Sequence, residues 1–347
     1  MSKKVLPIGK PPIIGYLHHA FALAVLTPHK ECLPWFYSNY INVIYNSRLK
    51  DKTDYSLDIY MNQDVSIGIP WIKYATLHRE IIDKTCSDLV EYIVQLIDLG
   101  YYIYVLVDEY YLPNRTAYEK AHQGHGALVF GYDLQQKVLD VLGFNEDGVF
   151  GETKAGFDQF EKAFKAIDTN IPFTMLRKRD DISPLKFEPR RVSSLINDYI
   201  ECRNSYPDIF TYCAPIPEFY GFDRNESNKY SYGIGAYDGL VKYYSYLLDN
   251  KAVFDIRPIH IFWEHKKCML MRIKYMYDNK YIEVFDPVYK EYEKVVQEML
   301  ALRVMNIRYA VNPDKKIPRD CIKALNFLKE TDKDIMKALL GEINKGV

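Results

Sequence analysis

HQGHGALVFGYDLQQKVLDVLGF, residues 122–144, reads as two strands and the turn that joins them. ALVFGYD (127–133) and KVLDVLGF (137–144) are rich in β-branched and aromatic residues, and DLQQ between them supplies a hairpin turn. Asp133, two residues after Gly131, reads as the turn former. Upstream, YYIYVLVDEYY (101–111) is a further strand that closes on Asp108 and Glu109. Those two carboxylates are either ordinary strand-end charges or contacts for an ammonium group. His122 and His125 stand just before the hairpin's first strand. A histidine there is held rigidly with one ring edge towards a cleft, which suits a general base; the alternative is that both only decorate a loop.

Helices surround this sheet in the sequence. CLPWFYSNYINVIYN (32–46) has Pro34 where a first helical turn tolerates it, and Trp35, Phe36, Tyr40, Ile41 and Ile44 follow near helical spacing, so Cys32 falls at a helix N-terminus. Residues 77–99 repeat apolar positions at Ile82, Leu89, Ile93 and Leu96 and stop at Gly100, which predicts one amphipathic helix. AGFDQFEKAFKAI (155–167) predicts another. In the second half EPRRVSSLINDYIECRNS (188–205), GAYDGLVKYYSYLLDN (235–250) and IRPIHIFWEHKKCMLMRIKYMYDN (256–279) are helical. Residues 1–30 read as an extended, proline-punctuated lead. The expected class is α+β, with a core over 1–175, a boundary within 170–190, and a mainly helical second domain or lid over 176–347.

A chain of 347 residues that is 48% apolar can bury a sizeable core. Its 45 Lys and Arg nearly cancel 46 Asp and Glu, so no field favours nucleic acid or an anionic membrane surface. The 31 tyrosines and 17 phenylalanines suit a groove for an aromatic or extended ligand, or reflect the codon bias of an AT-rich genome. Prolines 7, 11 and 12 interrupt the N-terminal apolar patch, which is read as mature sequence rather than a signal peptide. No run approaches the roughly 18 to 20 apolar residues of a membrane span. The cysteines (Cys32, Cys86, Cys202, Cys213, Cys268, Cys321) form no C-x-x-C pair and no regular spacing, so reduced thiols and a cytoplasmic location are expected.

Three residues combine into one chemistry. A helix N-terminus and a nearby imidazolium stabilise a thiolate at Cys32, His125 serves as base, and Asp140 on the paired strand orients it. His122 is the rival base. The segment from His125 through Gly131 to Asp140 resembles the corresponding segment of papain-like bacteriocin-processing peptidase domains and of the N-terminal domain of the butirosin biosynthesis acyltransferases. LPWFYSNYI, VDEYYLPNRTAY, HGALVFGYD and DIRPIHIFWEHKKCMLMR are similar to papain-fold amide synthases of natural-product pathways, of the closthioamide type. The resemblance covers most of the chain. It implies a papain-like cysteine protease fold and acyl transfer from an acyl or peptidyl carrier-protein thioester to a small-molecule amine, diaminopropane in the closthioamide case. It also implies Cys32 as nucleophile, His125 as base and Asp140 as orienter, with no cofactor and no metal.

The chain departs from the peptidase pattern in two places. Leu26 stands where that pattern has an oxyanion-donating Gln, leaving Thr27, His29 and His19 as polar substitutes, and Asp140 precedes Val141 rather than a proline. Both weaken proteolysis more than acyl transfer, because a thioester is already activated. HIFWEHKKCM (260–269) offers His260, Glu264, His265 and Cys268, but four ligands along one helix cannot surround a tetrahedral ion. Cys268 remains the alternative thiol, and Lys266, Lys267 and Arg272 are candidates to meet an acidic carrier. GIGAYDG (233–239) lacks the lysine and spacing of a phosphate loop. The competing readings are a cysteine peptidase that trims a natural-product precursor and a non-catalytic papain-like shell that binds an intermediate or carrier.

Overall fold

The computed structural model describes residues 2–47, 56–59, 69–205 and 230–346. The fold is α+β and divides into two compact units, one of residues 1–30 and 64–183, the other of residues 31–63 and 184–347.

The first unit is built on an antiparallel sheet in the order β4 (Ile72–Leu77), β9 (Phe173–Lys178), β5 (Tyr102–Asp108), β6 (Gly124–Asp133), β7 (Val138–Phe144), β8 (Phe150–Gly156), with β1 (Lys3–Val5) also against β6. The ten-residue β6 is its spine. One edge pairs with β5 from Val129 to Gly124 and with β1 from Gly131 to Asp133, while β7 takes the other edge. Both faces are covered, and Ala127, Leu128, Val129, Phe130 and Tyr132 are all buried, which is why the sequence shows a continuous apolar run instead of an alternating one. Asp133 makes the expected turn: its Oδ1 accepts from the N–H groups of Gln135 and Gln136, each at 3.0 Å.

Around the sheet stand α1 (Leu17–Leu26), α3 (Arg79–Thr85), α4 (Leu89–Asp98) and α5 (Phe157–Lys165). The helix expected over 77–99 is two helices, because the Asp88 carboxylate accepts from the Glu91 N–H at 2.8 Å and starts α4 afresh. Gly100, at φ +85, ends α4 in the left-handed conformation that favours glycine. The lead of residues 1–30 is not simply extended: His18 to Leu26 of α1 are all buried, so the helix carries no polar stripe to announce it.

In the second unit, α2 (Leu33–Asn39) is shorter than its sequence suggests. After Tyr40 the chain turns into β2 (Val43–Asn46), flanked antiparallel by β3 (Leu57–Ile59) and β10 (Tyr230–Tyr232). The remainder is helical: α6 (Pro189–Ile200), α7 (Ala236–Leu248), α8 (Arg257–Asp278), α9 (Asp286–Val311) and α10 (Lys316–Lys345). Lys266 on α8 and Asp332 on α10, both fully buried, form an ion pair at 2.7 Å. Tyr199 of α6 and Tyr237 of α7 donate to the same carboxylate oxygen at 2.7 and 3.1 Å, and Lys266 also donates to the Tyr199 hydroxyl at 2.6 Å. The Lys266 ammonium lies 4.0 Å from the Phe262 ring centroid. Four helices thus meet at one charge pair.

The division between the units after residue 183 lies within the expected window of 170–190 and beyond residue 175, and residues 31–63 fall outside the first unit. Strand β9 pairs with β5 up to Leu176 and with β4 up to Lys178, so the first unit runs to residue 183, and residues 31–63 join the second unit because β2 pairs with β3 and β10 rather than with the main sheet. No helix among the described residues is long and apolar enough to cross a membrane.

Candidate functional site

Two histidine–carboxylate pairs occupy the end of the sheet where β5 leaves and β6 enters. The antiparallel register sets Val107 opposite His125 and Asp108 opposite Gly124, so the last residues of β5 meet the first of β6. Glu109 opens a turn of 3-10 helix, Glu109–Tyr111, and its N–H donates to the Gln123 carbonyl at 2.9 Å. From there its carboxylate, 4% exposed, lies 2.8 Å from Nδ1 of His125. A carboxylate only accepts, so the imidazole carries its proton on Nδ1 and leaves Nε2 as the acceptor edge. Among the described residues Nε2 has no hydrogen-bond partner. The ring lies parallel to Phe144, 5° between planes and 6.0 Å between centroids, and its side chain is 32% exposed.

The second pair is Asp108 with His122, Oδ2 to Nδ1 at 2.6 Å. Burial raises the Asp108 carboxyl, but the hydrogen bonds from His122 and from the N–H groups of Tyr110 and Gln123 outweigh it and hold the group below its ordinary range.

Glu109 is buried beside a cation. The connection from Glu109 to Gln123 folds Arg115 inward until it is 3% exposed, donating to the Phe144 carbonyl and, at 3.3 Å, to the Thr153 hydroxyl. Burial lowers the Arg115 guanidinium, and the Glu109 charge acts against that shift. Gly143 makes the room: a Cβ there would lie 2.6 Å from Arg115 Nη1.

Asp140 does not orient His125. It pairs with Gly131, six residues along β6 from His125, which at about 3.3 Å per residue is about 20 Å away. A hairpin brings the start of its second strand to the end of its first; Leu128 faces Leu142, and continuing that register sets Asn145, not Asp140, opposite His125. The Asn145 Oδ1 is occupied by the N–H groups of Asp147 and Val149, at 3.0 and 2.8 Å. Asp140 instead lies over Gly131, where a Cβ would be 2.6 Å from its Oδ2, and Lys154 approaches its other oxygen at 3.6 Å. The carboxylate bonded to His125 directly follows β5, on the opposite side of β6 from β7.

Cys32 belongs to the second unit, where it precedes α2 with a thiol 3% exposed. Cys268 is fully buried, and burial pushes its thiol up to about 12, which removes it as a nucleophile. Its neighbours are equally committed to the core. His265, neutral because burial lowers it well below the ordinary histidine range, has Nε2 2.6 Å from the Ile41 carbonyl oxygen; His260 pairs with Glu264 at 3.2 Å. Lys266 and Arg272 are fully buried, the latter donating to the carbonyls of Tyr37 and Tyr40, so neither can meet a carrier protein. Among the oxyanion substitutes, the Thr27 hydroxyl donates to the Leu23 carbonyl. The five described cysteines are free thiols; Cys213 lies outside the described residues.

The pairing of Asp108 and Glu109 with the two histidines was open to sequence reasoning. VDEYY ends one strand and HQGH begins the next, and an antiparallel pair sets those ends side by side. No protein-family model matches the chain, and no curated protein matches it.

Proposed function

We propose that the chain is a papain-like, cysteine-dependent acyltransferase that forms an amide, moving an acyl group from a carrier-protein thioester through Cys32 to an amine. The observation that carries this reading is the Glu109–His125 pair: a buried carboxylate fixes the imidazole tautomer and leaves Nε2 free to accept a proton. In the proposed reaction the Cys32 thiol gives up its proton, the thiolate attacks the thioester carbonyl, and the carrier thiol departs with a proton; His125 is the base assigned to this exchange. The acyl-enzyme is then intercepted by an amine. Glu109 stabilises the imidazolium formed in each half-reaction, the role sequence reasoning assigned to Asp140. A free thiol at Cys32 suits a reducing, cytoplasmic setting.

Intact-protein mass spectrometry tests the reading. The wild-type protein is mixed with an acyl-carrier thioester, with and without amine, beside Cys32→Ala and His125→Gln. An acyl adduct that requires both residues and discharges to amide is the expected result. Discharge to free acid at the same rate with or without amine would point to a hydrolase instead, and the absence of an adduct across several acyl groups would refute the assignment.

A further inference from the structure

Lys266 and Arg272 are buried, so a carrier protein must meet the chain elsewhere. The second unit, which carries Cys32, has an exposed face suited to it. Helix α10 sets Lys316, Arg319, Lys323 and Phe327 at intervals of three, four and four residues, so all four stand on one stripe. That stripe lies opposite Cys321, Leu325 and Leu328, which pack into the core. Phe327 is 72% exposed, and among the described large apolar side chains only Val311, which ends α9 just before the turn into α10, is more so at 84%.

The charges of the stripe are not spent on the fold. None of its three cations has an ion-pair partner among the described residues, although Asp320 stands four residues from Lys316 and three from Lys323. On the same unit Lys274 pairs with Asp278, Lys290 with Asp286, Lys294 with Glu291 and Lys329 with Asp238, each within 3.1 Å. Helix stability does not call for the cations either. Positive side chains in a first turn oppose the macrodipole, and the first turn of α10 holds no acidic residue. The whole chain carries a net charge of -1, so the cluster is not a by-product of a basic composition.

From Lys316 to Phe327 the stripe extends about 16 Å, the length of about three helical turns. Beyond Phe327 the same face continues into Glu330 and Asp334, both exposed. A nucleic-acid duplex or an anionic membrane surface laid along α10 would meet those carboxylates too, whereas a short partner helix stops before them. We propose that this stripe is the docking surface for the acyl-bearing carrier protein. It receives an acidic amphipathic helix whose carboxylates meet Lys316, Arg319 and Lys323 and whose apolar side chains cover Phe327. This rests on the acyltransferase reading. Docking here selects the protein that delivers the thioester and speeds its encounter, and leaves the chemistry at Cys32 unchanged.

The test presents one acyl group as a carrier-protein thioester and as a pantetheine thioester, and reads acylation of Cys32 by intact-protein mass spectrometry. For Lys316→Glu/Arg319→Glu/Lys323→Glu, the expected result is kcat/KM about 100-fold lower with the carrier and within about twofold of wild type with pantetheine. The unchanged pantetheine rate also shows that the variant is folded. Phe327→Ala is expected to lose about 10-fold, with the carrier alone. Lys274→Glu/Lys290→Glu/Lys294→Glu changes the net charge equally and is expected to stay within about threefold of wild type with the carrier. Equal losses with both donors, no loss with the carrier, or as large a loss in that control overturns the docking surface. So does a stripe variant that keeps its carrier rate but no longer sediments with anionic phospholipid vesicles or binds duplex DNA, since the stripe then serves those partners. Failure of the wild-type protein to acylate at Cys32 from either donor overturns the underlying reading, and this assignment with it.

Discussion

Glu109→Gln is the substitution that bears most directly on the site, because it keeps the shape of a 4% exposed side chain and removes only its charge. The 2.8 Å bond to His125 Nδ1 becomes a neutral one, whereas the proposed acyl transfer passes through an imidazolium. A hydrogen bond to a charged group contributes about 1.5–3 kcal/mol. At about 1.4 kcal/mol per factor of ten, acylation of Cys32 slows about 10- to 150-fold. The same change takes the Glu109 charge away from the buried Arg115 guanidinium, so a lower melting temperature is expected. Adding Arg115→Met removes that guanidinium, so stability recovers while the rate stays low. The matched control is Asp140→Asn, whose carboxylate is about 20 Å along the sheet from His125 and leaves acylation within about twofold. Stopped-flow acylation and thermal melts of the full chain read both quantities. Acylation by Glu109→Gln within twofold of wild type, or an equal loss in Asp140→Asn, would refute the assignment of the orienting carboxylate.

Other expectations concern the frame around the site. Gly143→Ala drives a methyl to 2.6 Å from Arg115 Nη1, so the guanidinium must shift; a loss of about 1–3 kcal/mol in urea unfolding is expected, and unchanged stability would show that Arg115 has another place to go. Lys266→Met leaves Asp332 charged, buried and unpaired and costs about 3–5 kcal/mol, whereas Lys266→Met with Asp332→Leu costs much less; equal losses would deny the coupling. Burial lowers Lys266 from 10.5 to about 8, so between about pH 8 and 10 the unfolded chain holds a proton that the folded one has released, and the contribution of Lys266 to stability rises with pH. The stability difference between wild type and Lys266→Met, measured by urea unfolding at each pH, should therefore grow over that range; a flat or falling difference would contradict it. In iodoacetamide labelling read by peptide mass spectrometry, Cys202 and Cys86 react in the native protein and Cys268 only after denaturation.

The local patterns that could be read from the sequence were those in which one element's own residues determine its state. The β6–β7 hairpin, the Asp133 turn, α5 and the helices of the second half all follow from periodicity and turn chemistry carried within the segment. The features that escaped depend on what lies opposite. Helix α1 is buried on every side, so no polar stripe marks it; β8 reads FGETKAG, with only Ala155 buried, and has too little apolar content to stand out as a strand. The misplacement of the orienter has the same origin. Asp140 lies on the strand after His125 in the chain, but a strand inside a sheet has two neighbours, and the hairpin partner presents the wrong end. Register decides which carboxylate a histidine meets: counting back from the β6–β7 turn sets Gly131 beside Asp140, and counting from the β5–β6 connection sets Asp108 and Glu109 beside His122 and His125. The longer connection, residues 109–123, gives the pairing no short-turn signature, and it is also the segment that carries Arg115 inward to the Phe144 carbonyl. The length that leaves the pairing without a local signature is thus also what brings a buried guanidinium within reach of the Glu109 charge.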